Sequence, residues 1–356
     1  VPAHIGRPVI RLAAHRVTTD ALLDHIAATC RDADDPTKPH PRLGLWKRLI
    51  RNTGVEQRYW TRPLQEATAP SSVGHRAGVA FGDALDLAES AARDALDVAG
   101  LDPGDVDAIV TSHTTSWTVP GMDVHLIERL GLRPTVTRIG LSTLACVGGA
   151  QSLVHALWHT LARPGARVLV VVAETLSTIY HESETTPQSM MYRALFGDSA
   201  GAAVVTGLTD ETSADLPTGF VALDPLELVM PNSRDRYWGT IDDEGLHFDS
   251  TRKAAAAATD AVPYITDWLG KRRPEWAIVH PGGPRIIDDV VTSIGLAEKA
   301  GRYSHASLAE NGNLGGTAVL DVLARTHDDP PAPGSPGALI AFGPGFTAAG
   351  VYGAWI

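Results

Sequence analysis

The chain has 356 residues, 44% of them apolar and 20% charged, with a formal net charge of −11. Such a chain buries a large core as one big domain or two intimate ones, and an acidic balance without a basic run argues against a nucleic-acid partner. No apolar stretch reaches the roughly 20 residues of a membrane span and no signal peptide opens the chain; with only Cys30 and Cys146 as cysteines, a reducing cytoplasm is the expected location.

In chain order, the polar N-terminal segment, residues 1–66, carries a strand candidate (Pro8 to Leu12), a helix candidate (Thr19 to Cys30) and a compact basic stretch from Trp46 to Gly54. From Ser72 to Ala99 the pattern is helical, with Leu85, Ala88, Ala92, Ala95 and Leu96 on one face. Turn chemistry in Leu101-Asp102-Pro103-Gly104 ends it. A strand at Asp107–Val110, a helix at Val124–Leu130, a glycine-dense turn around Cys146, a helix at Gly149–Leu161 and a strand at Val168–Val172 follow. The unbroken β-branched run of that last strand suits a sheet covered on both faces. Leu195 to Val205 reads as a turn feeding another buried strand, and Asp210 to Asp243 as loops and edge strands. The alanines Ala254 to Ala258 open a further helix, and the proline-rich Asp328 to Pro336 is a surface loop.

The chain repeats itself. Cys146-Val147-Gly148-Gly149 has a counterpart in Asn313-Leu314-Gly315-Gly316. Asp107 to Val110 precedes the first as Trp276 to Val279 precedes the second, and the separations Ala108–Cys146 and Ala277–Asn313 are 38 and 36 residues. Downstream, Arg167 to Val171 answers Gly337 to Ala341. Two versions of one α/β unit, with a cysteine in one turn and an amide in the other, predict one shared site.

Cys146 is the leading nucleophile candidate, because a thiol at a helix N-terminus gains from the free N–H groups and dipole there; the alternative is a small buried thiol. Cys30, inside an ordinary amphipathic helix, reads as structural. His280 stands at the end of a buried strand before Pro281-Gly282-Gly283-Pro284, a position suited to a catalytic side chain. Asn313 only donates and accepts hydrogen bonds, which suits an oxyanion hole or a plain turn. A Cys–His–Asn set also describes papain-like hydrolases, but the duplication and the flanks of Cys146 do not fit them. His155 and His159 lack further ligands, so no metal site is expected.

Five motifs in order resemble the type III polyketide synthases, the chalcone synthase-like branch of the thiolase-fold superfamily: Cys146-Val147-Gly148-Gly149, Leu195-Phe196-Gly197-Asp198, His280-Pro281-Gly282-Gly283-Pro284, Gly312-Asn313 and Gly343-Pro344-Gly345-Phe346-Thr347. The resemblance runs from Arg48 to Ile356. It implies a duplicated, five-layered αβαβα fold, with residues 1–207 as the cysteine-bearing half and 208–356 as the half with His280 and Asn313. It further implies a homodimer, with Val119 of the Thr115–Met122 segment reaching toward the partner. Cys146 would be acylated by an acyl-CoA starter and pair with His280 as thiolate and imidazolium. His280 and Asn313 would promote decarboxylation of malonyl-CoA and hold the enolate. CoA thioesters are then substrates, and no cofactor is needed.

By the same resemblance Phe196 and Phe248 are gatekeeper aromatics, Thr115, Ile179, Tyr192, Gly239 and Gly315 line the substrate cavity, and Arg48, Arg51 and Arg285 meet CoA phosphates. The arginines also read as solvated charges, and Phe248 as core. Departures from the family pattern, namely Ala145 before the nucleophile, Gly315, Ile179, Tyr192 and Trp117, point to a bacterial member and a modest or linear starter with few extensions. The rival readings are a ketosynthase III-like acyltransferase making one extension or none, and a non-catalytic binding protein on the same fold.

Overall fold

The computed structural model describes residues 2–210 and 216–356. The elements read from periodicity form where expected. The long helix Val73–Ala99 starts at Ser72, whose Oγ accepts from His75 N at 3.3 Å, and stops at Gly100 in the left-handed region (φ 64°). The basic stretch is the helix Leu43–Arg51, with Trp46 and Ile50 on its buried side.

The two copies take the same form. In the first, Ala108–His113 lies parallel to Arg167–Glu174, which pairs antiparallel with Ser199–Gly207. In the second, Trp276–Val279 lies parallel to Pro336–Gly343, which pairs antiparallel with Thr347–Trp355. Ala108 is opposite Val168 and Ala277 opposite Ala338, the same register in both. The N-terminal strand Ala3–Ile5 pairs with Ser199–Gly207 on one side and Phe220–Val229 on the other, joining both sets into one ten-stranded sheet.

Side chains alternate between two cores, as the pleat requires. On Arg167–Glu174, Val168, Val170 and Val172 face the helices Gly148–Ala162 and Ala318–Asp328, while Leu169, Val171 and Ala173 face Val73–Ala99 and Met122–Leu130. On Pro336–Gly343, Leu339 and Ala341 join the same central core, whereas Ala338, Ile340 and Phe342 pack against Ala257–Leu269 and Pro284–Ser293. The result is helix, sheet, central helix pair, sheet, helix: the expected five layers. No helix among the described residues is long and apolar enough to cross a membrane.

The central helices meet at glycine. A Cβ on Gly149 would overlap the carbonyl oxygen of Gly316, and one on Gly316 would lie 3.1 Å from Gly149 N and Ala145 O. Each copy therefore contributes the same glycine to the contact between them.

The stretch from Asp210 to Asp243 departs from expectation; residues 211–215 lie outside the described residues. Phe220–Val229 is an internal strand, held between Ala3–Ile5 and Thr347–Trp355, not an edge. Only its first three residues are buried and Pro225 interrupts it, so its pattern is too weak to mark a strand from sequence. Beyond it, Tyr237–Ile241 and Leu246–Ser250 form a hairpin with Gly239 opposite Phe248. His247 ties the hairpin down: Nδ1 lies 2.6 Å from Glu184 Oε1 and Nε2 2.8 Å from Asp242 Oδ1. Both nitrogens face carboxylates, which only accept, so the ring is an imidazolium. Burial opposes that charge, but the two carboxylates outweigh it and raise the His247 pKa. His181, stacked on it at 3.8 Å, is pushed down by burial and donates its Nε2 proton to Leu246 O at 2.9 Å.

Two tests follow from these contacts. Gly149→Ala should cost about 3 kcal/mol or more, because backbone closes the space, whereas Gly78→Ala, with nothing within 4 Å, should be neutral or stabilising; thermal melts of the pair measure the contrast. Because the folded pKa of His247 is raised above 6.5, its stabilisation is complete below that value and fades as pH rises through the folded one. Amide exchange in the hairpin, corrected for intrinsic rate, should therefore quicken from pH 5.5 to 8.5, and His247→Gln should flatten that response.

Candidate active site

Cys146 sits in the single 3-10 turn Ala145–Val147 that leads into Gly148–Ala162. The turn is strained: Thr143 and Ala145 hold φ of 63° and 49°, where only glycine is at ease. Ala145 N donates to Thr114 Oγ1 at 3.0 Å, which fixes the strained residue from the end of the neighbouring strand. The left-handed Ala145 lifts the next side chain out of the helix start into the cavity.

Asn313 enters from the other copy. Gly312, at φ 74°, ends the helix Arg302–Asn311, and its missing Cβ admits Leu195 O. Asn313 N then donates to Leu195 O at 2.8 Å, and Gly197 N donates to Asn313 O at 3.1 Å. The side chain is oriented by Gly315 N, which donates to Oδ1 at 2.9 Å. Both amide atoms stand beside the sulfur: Nδ2 donates to Cys146 Sγ at 3.7 Å, and Oδ1 lies 4.0 Å from it. His280 follows Trp276–Val279 and is anchored by its N–H to Ile340 O at 2.9 Å. Its Nδ1 is buried without a partner, which leaves Nε2 as the nitrogen open to the cavity.

Cys146, His280 and Asn313 line one cavity of about 430 Å³, with an otherwise largely apolar wall that includes Leu49, Met191, Tyr192, Leu195, Tyr237, Ile286, Phe342 and Phe346. Burial pushes the Cys146 thiol up to about 12; the Asn313 hydrogen bond works against that shift, and nearby Glu174 adds to it. Burial pushes the His280 imidazole down to about 3. Burial thus favours a neutral thiol and a neutral imidazole on the wall of one cavity. Glu174 is itself pushed up to about 8 by burial, against hydrogen bonds from Thr114 N and Oγ1 at 3.3 and 2.9 Å, so it is protonated at neutral pH.

The remaining sequence candidates divide. Tyr192 lines the cavity; Phe196, Phe248 and Ile179 pack with Leu176 in an apolar cluster around Cys146. Phe196 and Phe248 meet at 6.1 Å. Thr115, Gly239 and Gly315 are not part of the cavity wall. Gly315, at φ 60°, is instead closed in by Leu176 and Glu174. Thr115 is buried against Thr175, their hydroxyls 2.9 Å apart. Arg48 is exposed beside the wall residue Leu49; Arg51 pairs with Asp20 at 3.4 Å and Arg285 with Asp289 at 3.3 Å. Sequence reading passed over Tyr237, Arg252 and Glu174. Glu174 carried a mark, a carboxylate closing an apolar strand; Tyr237 and Arg252 lie where no periodicity pointed. Among the described residues no group of three His, Cys, Asp or Glu side chains is placed to hold a metal ion.

The family profile of chalcone and stilbene synthases matches in both parts, the N-terminal domain over residues 48–209 and the C-terminal domain over 225–352. Phloroglucinol synthase of Pseudomonas fluorescens is 30% identical over 98% of each chain. The 1,3,6,8-tetrahydroxynaphthalene synthase of Streptomyces griseus is 31% identical over 99% of this chain and 93% of its own. Among solved structures, the tetrahydroxynaphthalene synthase of Streptomyces coelicolor, a bacterial type III polyketide synthase, superposes with a TM-score of 0.91 at 30% identity, covering 99% of each chain. Germicidin synthase of the same organism, also a type III polyketide synthase, gives 0.91 at 30% identity over the whole of both chains. With both parts of the profile matched and relatives alike along the full length, this chain belongs to the chalcone and stilbene synthase family and is a type III polyketide synthase, an acyltransferase.

Proposed function

We propose that the enzyme loads an acyl-CoA starter on Cys146 and extends it with malonyl-CoA, with Cys146, His280 and Asn313 as the catalytic set. The observation that carries this reading is their convergence, from both halves of the duplication, on one apolar cavity. As the Cys146 sulfur attacks the starter carbonyl, its proton passes to the imidazole of His280; the CoA thiolate leaves and takes a proton from solvent, so His280 stays protonated at Nε2 as a donor for the next step. The thiolate–imidazolium pair is then formed at the moment of attack rather than stored at rest, since burial favours the neutral pair.

In the second half-reaction the malonyl thioester oxygen accepts hydrogen bonds from His280 and from Asn313 Nδ2. The bond to the carboxylate breaks, CO₂ leaves, and its electron pair becomes the enolate those donors stabilise. An apolar wall disfavours the carboxylate relative to CO₂, which acts in the same direction. The enolate carbon attacks the Cys146 thioester, a carbon–carbon bond forms, the carbon–sulfur bond breaks, and a chain two carbons longer leaves on CoA. Residues 1–207 supply the nucleophile and 208–356 the two polarising groups.

Beyond Cys146 the space is filled by Leu176, Ile179, Phe196 and Phe248. That supports a modest starter and few extensions. CoA would enter past Leu49, Arg252 and Ile286, with Arg48 and Arg285 beside the entry and Arg51 one turn from Arg48. A homodimer in the cytoplasm completes the proposal. Its support is Trp117 and Val119, 50% and 98% exposed on the loop before Met122, an apolar surface awkward for a monomer in water.

Incubation with a panel of acyl-CoA starters plus malonyl-CoA, read by mass, should give products with added two-carbon units. Products with no extension would overturn the condensation, and a single extension would favour a ketosynthase-like enzyme. Cys146→Ala should abolish the acyl-enzyme yet retain malonyl-CoA decarboxylation. Asn313→Ala should slow decarboxylation and condensation together, by about 10²–10³-fold; unchanged turnover would remove Asn313 from the mechanism. Light scattering at micromolar concentration should report a dimer, and a stable monomer would refute that part.

A further inference from the structure

Resting on the proposed condensation, one consequence concerns the chain it leaves behind. After one extension the acyl group carries a β-keto oxygen that a simple starter lacks. The aromatic wall of the cavity contains a group suited to that oxygen. Tyr237 opens the strand Tyr237–Ile241 and lines the cavity with Cys146, His280 and Asn313. Its ring is held on two sides, stacked on Phe248 at 5.7 Å and 15° and edge-on to Tyr192 at 5.7 Å and 70°. Its backbone is held as well, its carbonyl accepting from Gly345 N at 3.2 Å.

The two phenols of this wall differ in their commitments. Tyr192 Oη donates to Ser250 Oγ at 2.7 Å. Tyr237 Oη has no hydrogen-bond partner among the described residues. Burial raises its pKa well above that of an ordinary phenol, with the Tyr192 and Cys146 groups adding to the shift, so it is a neutral donor close enough to sense the nucleophile's charge. Phenylalanine would keep both ring contacts, so what the hydroxyl adds is a donor open to whatever occupies the cavity.

We infer that Tyr237 is a specificity-determining residue, its hydroxyl donating to the β-keto oxygen of the acyl chain on Cys146, so that the site favours 3-oxoacyl over unsubstituted acyl chains of equal length. A site built to hydrogen-bond an oxygen rejects the analogue that lacks it, because its own polar group is then stranded. The donor thereby selects the extended intermediate for a further round over a fresh starter of the same size.

The test uses two thioesters that differ only at that oxygen, acetoacetyl-CoA and butyryl-CoA, with Cys146 acylation followed by intact-protein mass. Intrinsic reactivity cancels when the ratio of the two rate constants is compared between wild type and Tyr237→Phe. Loss of one neutral hydrogen bond should lower the acetoacetyl-to-butyryl ratio about tenfold. A change of less than about twofold, or an equal slowing of both, overturns the inference, since a merely structural role moves both alike. If Tyr237→Phe fails to fold, the wild type decides: half-saturation at lower acetoacetyl-CoA than butyryl-CoA supports the assignment, and equal values refute it. Acylation needs no malonyl-CoA, so the two readings fail separately. A wild type that extends no starter takes down the proposed function and this inference with it. A wild type that extends starters while the ratio stays fixed takes down the inference alone.

Discussion

The contact of Gly149 with Gly316 is the constraint on which the site depends. The two central helices begin at equivalent turns, and those turns approach so closely that Gly149 has no room for a Cβ and Gly316 little. Two of the three candidate residues sit within one turn of that contact, while His280 arrives separately from the end of Trp276–Val279. Cys146 precedes Gly149 by three residues, as Asn313 precedes Gly316, and the backbone approach sets the 3.7 Å between Sγ and Nδ2. A wider spacing would leave the thiol and the amide in separate pockets. The flanking glycines serve the same end: Gly197 and Gly312 allow the Leu195–Gly197 segment to hold the Asn313 backbone on both sides.

Burial is the second theme, because it sets the protonation state of every acid and base near the sulfur. Cys146, His280 and Glu174 are all driven to their neutral forms by loss of solvent. Such surroundings leave the thiol protonated and the imidazole uncharged. Glu174 beneath the site matters for the same reason, since its ionisation would place a negative charge beside the thiol and raise its pKa further.

The hairpin that closes the cavity is held differently from the rest. The strands of the two copies are buried on both faces, whereas Tyr237–Ile241 and Leu246–Ser250 form a separate two-stranded sheet tied by aromatic contacts and by the His247 imidazolium between Glu184 and Asp242. This part of the cavity wall thus rests on polar, titratable contacts, while Cys146 and Asn313 rest on packed core.

Much of this was legible in the chain alone. Periodicity marked the helix Val73–Ala99, the β-branched run marked Arg167–Glu174, and the repeated turn chemistry of Cys146-Val147-Gly148-Gly149 and Asn313-Leu314-Gly315-Gly316 pointed to a shared site. These features are local, or are repeats of local features, and a single sequence records them. The identity of the wall residues was decided by tertiary structure. Gly315 was expected in the cavity, yet its left-handed turn places it against Leu176 and Glu174; Tyr237, in a stretch without readable period, lines the cavity instead. Which side of a turn faces a cavity depends on backbone dihedrals and on partners distant in sequence, and residue spacing encodes neither. The sequence by itself determined the duplicated fold and named the three residues that meet at one cavity; only the packing of the two copies, with the hairpin laid across them, decided what surrounds the thiol.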